Sequence, residues 1–157
     1  MPSMRPLQTR RLTPAERGLA WTVFGAAIDL DHVRILALPV WKRAFVPGGG
    51  LIAWPAAQAL MDFAADSAPL RLQARFVHEL THVWQAQQGV NLLFAKLRAG
   101  DGPAAYAYDL ERGPEFARLN IEQQAMAVEH AFLAARGGVA PHPVEVYLAA
   151  LPNWRQA

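Results

Sequence analysis

An α+β fold is the class this chain predicts, and three observations point to it. Short β-rich runs occupy the first third, segments with helical spacing of apolar residues fill most of the rest, and Gly/Pro clusters separate them. At 157 residues the chain matches one domain and can bury a core without disulfides. A flexible N-terminal tail over residues 1–12 and a single domain over 13–157 are expected.

The elements follow in order. In "LTPAERGLAWTVFG" Thr13 suits a helix N-cap, Pro14 suits the first helical position, Glu16 completes a capping box, and Gly25 ends the helix. "DHVRILAL" reads as a strand, with β-branched Val33 and Ile35 on one face. "RAFVPGGGLIAWP" holds two apolar runs around Pro47 and three glycines, a hairpin whose second arm is Leu51 to Trp54. Residues 62–69 connect to a long helix that Pro69 can open and Gly89 can stop. "NLLFAKL" is a further short helix, and "AGDGPAAYAYDLERGP" is loop. A helix is expected over 115–136, ended by Gly137-Gly138, and "PVEVYLAAL" closes the chain as a short helix. Trp21, Trp41, Trp54, Trp84 and Trp154 read as core or rim packing.

Composition narrows the chemistry. With no cysteine, any metal must be held by His, Asp or Glu. Apolar residues reach 53%, but no apolar run approaches the roughly 18 residues of a membrane span. The basic N-terminus lacks the apolar stretch of a signal peptide, so synthesis in the cytoplasm is expected, with a dedicated export machine as the route out. Net charge is +2, and Arg5, Arg10 and Arg11 are the one basic cluster, a weak footprint for nucleic acid. Neither nucleic acid nor membrane is an expected partner.

"RFVHELTHVWQAQQGV" carries the chemistry. On a helix His78 and His82 lie one turn apart on one face and can bind one metal ion. Glu79 is rotated by about 100° and can reach a water on the open side of that ion. Two histidines, one carboxylate and one open position are a hydrolytic zinc arrangement, in which zinc acidifies water and polarises a carbonyl and the glutamate moves the proton. The plainer reading is a helix with two surface histidines. Flanking Phe76, Val77, Leu80, Val83 and Trp84 argue for burial instead, and a buried His pair beside a Glu needs partners. A histidine ligand six residues past His82 is excluded, because that position is Gln88. The third ligand is then a carboxylate from a second helix. Glu122 in "LNIEQQAMAVEHAF" is favoured beside an apolar stripe of Ile121, Ala125, Val128 and Phe132; Glu129, Glu115, Glu111, Asp109 and His130 compete.

"VFGAAIDLDHVRI", "RAFVPGGGLIAWP", "FVHELTHVWQAQ" and "YAYDLERGPEFARLNIEQQAMAVEHAF", in that order, resemble small bacterial zincin-like metallopeptidase domains of gluzincin or minigluzincin type. The chain looks closest to the Vgr-related proteins and is similar to the zincin-like domains of polymorphic toxins and contractile-injection effectors. The resemblance spans roughly residues 19–133. It implies one Zn²⁺ held by His78, His82 and Glu122, Glu79 as general base, and a small sheet over the active-site helix. It also implies that Leu51, Ile52, Ala53 and Trp54 form the rim strand where an extended peptide or protein substrate pairs. Secretion-system components are the other partners it suggests, and a weakly active or inactive interaction module is the alternative to a peptidase. Many gluzincins carry an acidic residue four positions after the ligand glutamate; Met126 stands there, so Glu129 or Asp109 must support the ligands. Gln85 lies on the ligand face, and Tyr106, Tyr108, His130, His142 and Tyr147 are candidate oxyanion donors.

Overall fold

Thr13 decides where the first helix begins. In the computed structural model, which describes residues 2–151, helix α1 spans Pro14–Phe24. Its cap is reciprocal: the Glu16 N–H donates to Thr13 Oγ1 at 3.1 Å, and the Thr13 N–H donates to Glu16 Oε2 at 2.9 Å. Gly25, at φ 55, supplies the left-handed turn that ends it. Trp154 and the last residues of the expected domain lie outside the described residues.

Four strands form one sheet: β1 (Thr9–Arg11), β2 (Arg34–Leu38), β3 (Phe45–Gly48) and β4 (Leu51–Pro55). Their order is β1-β2-β4-β3, with β2 parallel to β4 and both outer pairs antiparallel. Val33, Ile35 and Ala37 turn into the core, the face that the β-branched spacing predicts. Trp54 carries that core onward to Phe63 and Phe76, with successive ring centroids 4.3 and 5.3 Å apart.

Two sequence-based expectations give way here. Residues 2–12 of the expected flexible tail 1–12 are tied down instead: β1 pairs with β2, Ser3 bridges to Leu60, and Met4 is buried. Arg10 explains the difference. Its guanidinium forks onto both oxygens of buried Glu16 at 2.7 and 2.6 Å and donates to the Leu60 carbonyl. Such a charge-assisted clamp joins residues far apart in sequence and leaves no local signal.

The second correction concerns the rim. The hairpin forms, but β4 is internal, and Ile52, Ala53 and Trp54 are buried between β2 and β3. Of the two hairpin arms, β3 is the one at a sheet edge. It carries Pro47, which cannot donate to a ladder and suits only an edge. A proline at Ile52 is therefore expected to break the sheet, read as loss of the thermal unfolding transition, rather than to weaken substrate binding alone.

Helix α2 (Leu70–Gln87) packs beneath the sheet, with Pro69 at its N-cap and Gly89 in the left-handed region just past its end. Asn91 caps α3 (Leu92–Ala99), and α5 (Val144–Ala150) follows Pro143. Helix α4 spans Ile121–Ala135, shorter than the expected 115–136. Residues Phe116–Arg118 form a tight 3₁₀ turn, and Asn120 captures the cap by accepting from the Glu122 and Gln123 N–H groups.

Candidate metal centre

Helices α2 and α4 pack face to face, and that contact assembles the site. His78 and His82 project from α2 with ring centroids 5.0 Å apart and planes at 79°. The Asn120 cap pins the first turn of α4, which carries Glu122. All three are nearly closed to solvent, at 2%, 7% and 5% exposure. Glu122 Oε2 lies 3.6 Å from His78 Nε2 and 3.6 Å from His82 Nε2. Ligand atoms about 2.0–2.1 Å from one tetrahedral zinc stand about 3.3 Å apart, so these residues fit the ion with small adjustment. They are also, among the described residues, the one group of carboxylates and histidines whose ligand atoms converge within 4.8 Å.

The opposite ring nitrogens are held from behind. Gln85 donates its amide to the Ile121 carbonyl and to Gln124 Oε1, which turns Gln85 Oε1 toward His82 Nδ1 at 2.8 Å. That oxygen can only accept, so the His82 proton sits on Nδ1 and the Nε2 lone pair faces the site. His78 Nδ1 approaches Glu129 Oε2 at 2.9 Å, off the line an ideal hydrogen bond takes. Neither of those two buried atoms makes a hydrogen bond elsewhere. Glu129 and Gln85 thus stand where ligand-orienting groups belong. Asp109, the other candidate support, is half-buried and caps its own turn by accepting from the Glu111 and Arg112 N–H groups.

Charge in the site is concentrated. Burial disfavours the His78 imidazolium, but the neighbouring Glu122 and Glu129 carboxylates outweigh it and lift its pKa to about 9. Burial opposes ionisation of Glu122 too, yet both histidines and Lys96 hold it well below the usual carboxylate range. Lys96 reaches across from α3: its Nζ donates to Glu122 Oε1 at 2.7 Å and to the Tyr106 hydroxyl at 2.8 Å. Glu122 therefore offers one oxygen to the histidine pair and the other to an ammonium. Lys96 escaped the sequence reading because only the packing of α3 on α4 brings it there. Its one sequence signal was rarity, as one of two lysines.

A cavity of about 420 Å³ opens beside these three residues. Glu79 lines it at 1% exposure. Its Oε1 is 3.5 Å from Arg75 Nε and its Oε2 has no partner. The far wall is Phe45, Val46 and Pro47 of β3, with Trp41 before it; no β4 residue lines it. Tyr106 lines the cavity as well. Tyr108 does not: its hydroxyl meets His130 Nδ1 at 2.7 Å and the Tyr147 hydroxyl at 3.1 Å, in a separate cluster that His142 joins. Glu115, Glu111 and His130 are likewise absent from the converging group.

No protein-family model matches the chain. Over 136 residues it is 36% identical to the type VI secretion system spike protein VgrG2b of Pseudomonas aeruginosa. That match spans 79% of this chain and 13% of the spike protein's length. Among solved structures, the chain is similar to the effector domain of Pseudomonas aeruginosa VgrG2b at TM-score 0.71 and 30% identity, over 98% of this chain and 88% of that one. The shared extent is thus nearly the whole of one effector domain, and the chain belongs to the VgrG2b effector-domain family.

Proposed function

We propose that this chain is a zinc-dependent peptidase with a zincin-like fold of gluzincin type, and that it acts as an effector associated with a type VI secretion apparatus, leaving the cell by that route. His78, His82 and Glu122 would hold the ion. Bound zinc would supply a Lewis acid that polarises a peptide carbonyl and acidifies water.

The observation that carries the reading is Glu79. Its carboxylate is buried on the cavity wall, lies outside the converging group of three, and keeps one oxygen without a hydrogen-bond partner. A group so placed can take a proton from a water in the cavity and deliver it to the leaving nitrogen. Arg75 steadies the other oxygen. The Tyr106 hydroxyl accepts from Lys96, so its own proton is free to stabilise a developing oxyanion. An extended peptide can pair with the free edge of β3.

The test is metal content and turnover together. Purified protein is expected to carry about one zinc per chain, to cleave members of a peptide library, and to lose both on dialysis against a chelator. A zinc-loaded protein that cleaves nothing would sink the peptidase. It would leave the second reading, a zincin-fold interaction module of a secretion system. The Lys96–Glu122 ion pair favours that reading, because it draws charge from a ligand carboxylate.

A further inference from the structure

A second pocket, of about 310 Å³, adjoins the metal centre and shares Arg43, Ala44 and Arg75 with its cavity. Lys42, Arg43, Arg71 and Arg75 line it, against one carboxylate, Glu129. That carboxylate is already engaged by His78 at 2.9 Å and Arg75 at 3.9 Å. Among the described residues, Lys42, Arg43 and Arg71 make no ion pair and no side-chain hydrogen bond. Trp54 also lines the pocket; it is 1% exposed, and its Nε1–H is buried without an acceptor. Uncommitted cations and an orphaned buried donor around one cavity call for an acceptor-rich anion.

We propose that this pocket receives an acidic side chain of the peptide on which the metal centre acts. The inference rests on the peptidase reading and names its substrate class. Guanidinium forks match a carboxylate bidentately, and the indole N–H adds a neutral donor. A peptide fits better than a nucleic acid because residues 42–44 of the pocket wall lead directly into β3, an edge strand whose backbone can hold an extended chain. Arg71 precedes His78 by seven positions on α2, about 10 Å along the axis. Extended chain advances about 3.3 Å per residue, so the acid falls about two to four residues from the scissile bond.

The experiment uses the full chain, zinc-loaded, in wild-type and Glu79→Gln forms. The probes are decapeptides of one sequence in which a single glutamate is walked along the chain, each matched by its glutamine version. Binding to the Glu79→Gln protein is read by fluorescence anisotropy, and KM and kcat are read on wild type. One glutamate position, two to four residues from the cut, should bind at least about tenfold tighter than its glutamine match. That ratio should fall to near one in Lys42→Gln/Arg71→Gln. The inference is overturned if no glutamate position beats its glutamine match, if the preference survives the double variant, or if free glutamate displaces the acidic peptide as well as that peptide displaces itself. Cleavage without preference sinks the pocket alone, whereas preference in binding without any cleavage sinks the peptidase alone.

Discussion

Glu16 and Glu79 are both buried, at 0% and 1% exposure, yet their surroundings differ atom by atom. Around Glu16 every direction is filled. Arg10 takes both oxygens, the Thr13 N–H reaches Oε2, and the Phe63 N–H reaches Oε1 at 2.8 Å. Around Glu79 one oxygen faces a guanidinium at 3.5 Å and the other has no hydrogen-bond partner. A buried carboxylate is tolerated when its lone pairs are met. Glu16 meets that condition and ties three chain segments together. Glu79 leaves it unmet on a cavity wall, the arrangement of a group that needs a free lone pair.

The largest effect expected from this contrast is in turnover. Glu79→Gln should keep zinc and fold and lose peptide cleavage by at least about 10²-fold, the usual scale of positioned acid–base catalysis. Unchanged turnover in a zinc-loaded variant would take Glu79 out of the reaction. The mirror experiment is Glu16→Gln, which strands Arg10 without its partner. It should lower unfolding free energy by about 3–5 kcal/mol, as breaking a buried pair does. Denaturant unfolding measures it, and a loss under about 1 kcal/mol would mean that the clamp contributes little.

Between these extremes lie the ligand supports. Glu122→Ala should abolish tight zinc binding, while Glu129→Ala should weaken it about 10–100-fold through the freed His78 ring. Zinc titration decides between them, and a reversed order would exchange their roles.

The most gradual effect is a pH slope. In metal-free protein the raised His78 pKa stabilises the fold below the unfolded value of 6.5, and that contribution fades as pH climbs to about 9. Zinc needs the neutral ring, so its apparent affinity should rise over the same window, by at most about tenfold per unit for one proton released. Unfolding midpoints of chelator-treated protein from pH 6 to 10 check the first part, and competition titrations check the second.

Much of this was legible in the sequence where the determining contacts are local. The Thr13 cap, the Pro69-to-Gly89 helix and the triglycine hairpin rest on neighbours within a few residues, and the structure shows each. The converging His78, His82 and Glu122 were legible too, because helical spacing and an apolar stripe say which face each occupies. What escaped depends on long-range pairing. Which hairpin arm takes the sheet edge is settled by β2 pairing with β4, although Pro47 was a usable sign that the first arm lies outside. The start of α4 at residue 121, rather than 115, rests on the Asn120 cap. Lys96 and the cations of the second pocket come from separate segments, and no spacing rule joins them.

The N-terminal strap has a consequence for anyone who shortens this chain. Starting at residue 13 would look harmless on the sequence, since it removes only an irregular basic stretch. It would also strip β1 from β2, baring a row of unpaired amides and carbonyls along Arg34–Leu38. A bare flat edge is a template for a second chain, so the shortened protein should self-associate edge to edge and precipitate. Light scattering of the two lengths side by side would show it, and an equally monomeric short form would mean that the edge is guarded by something other than β1.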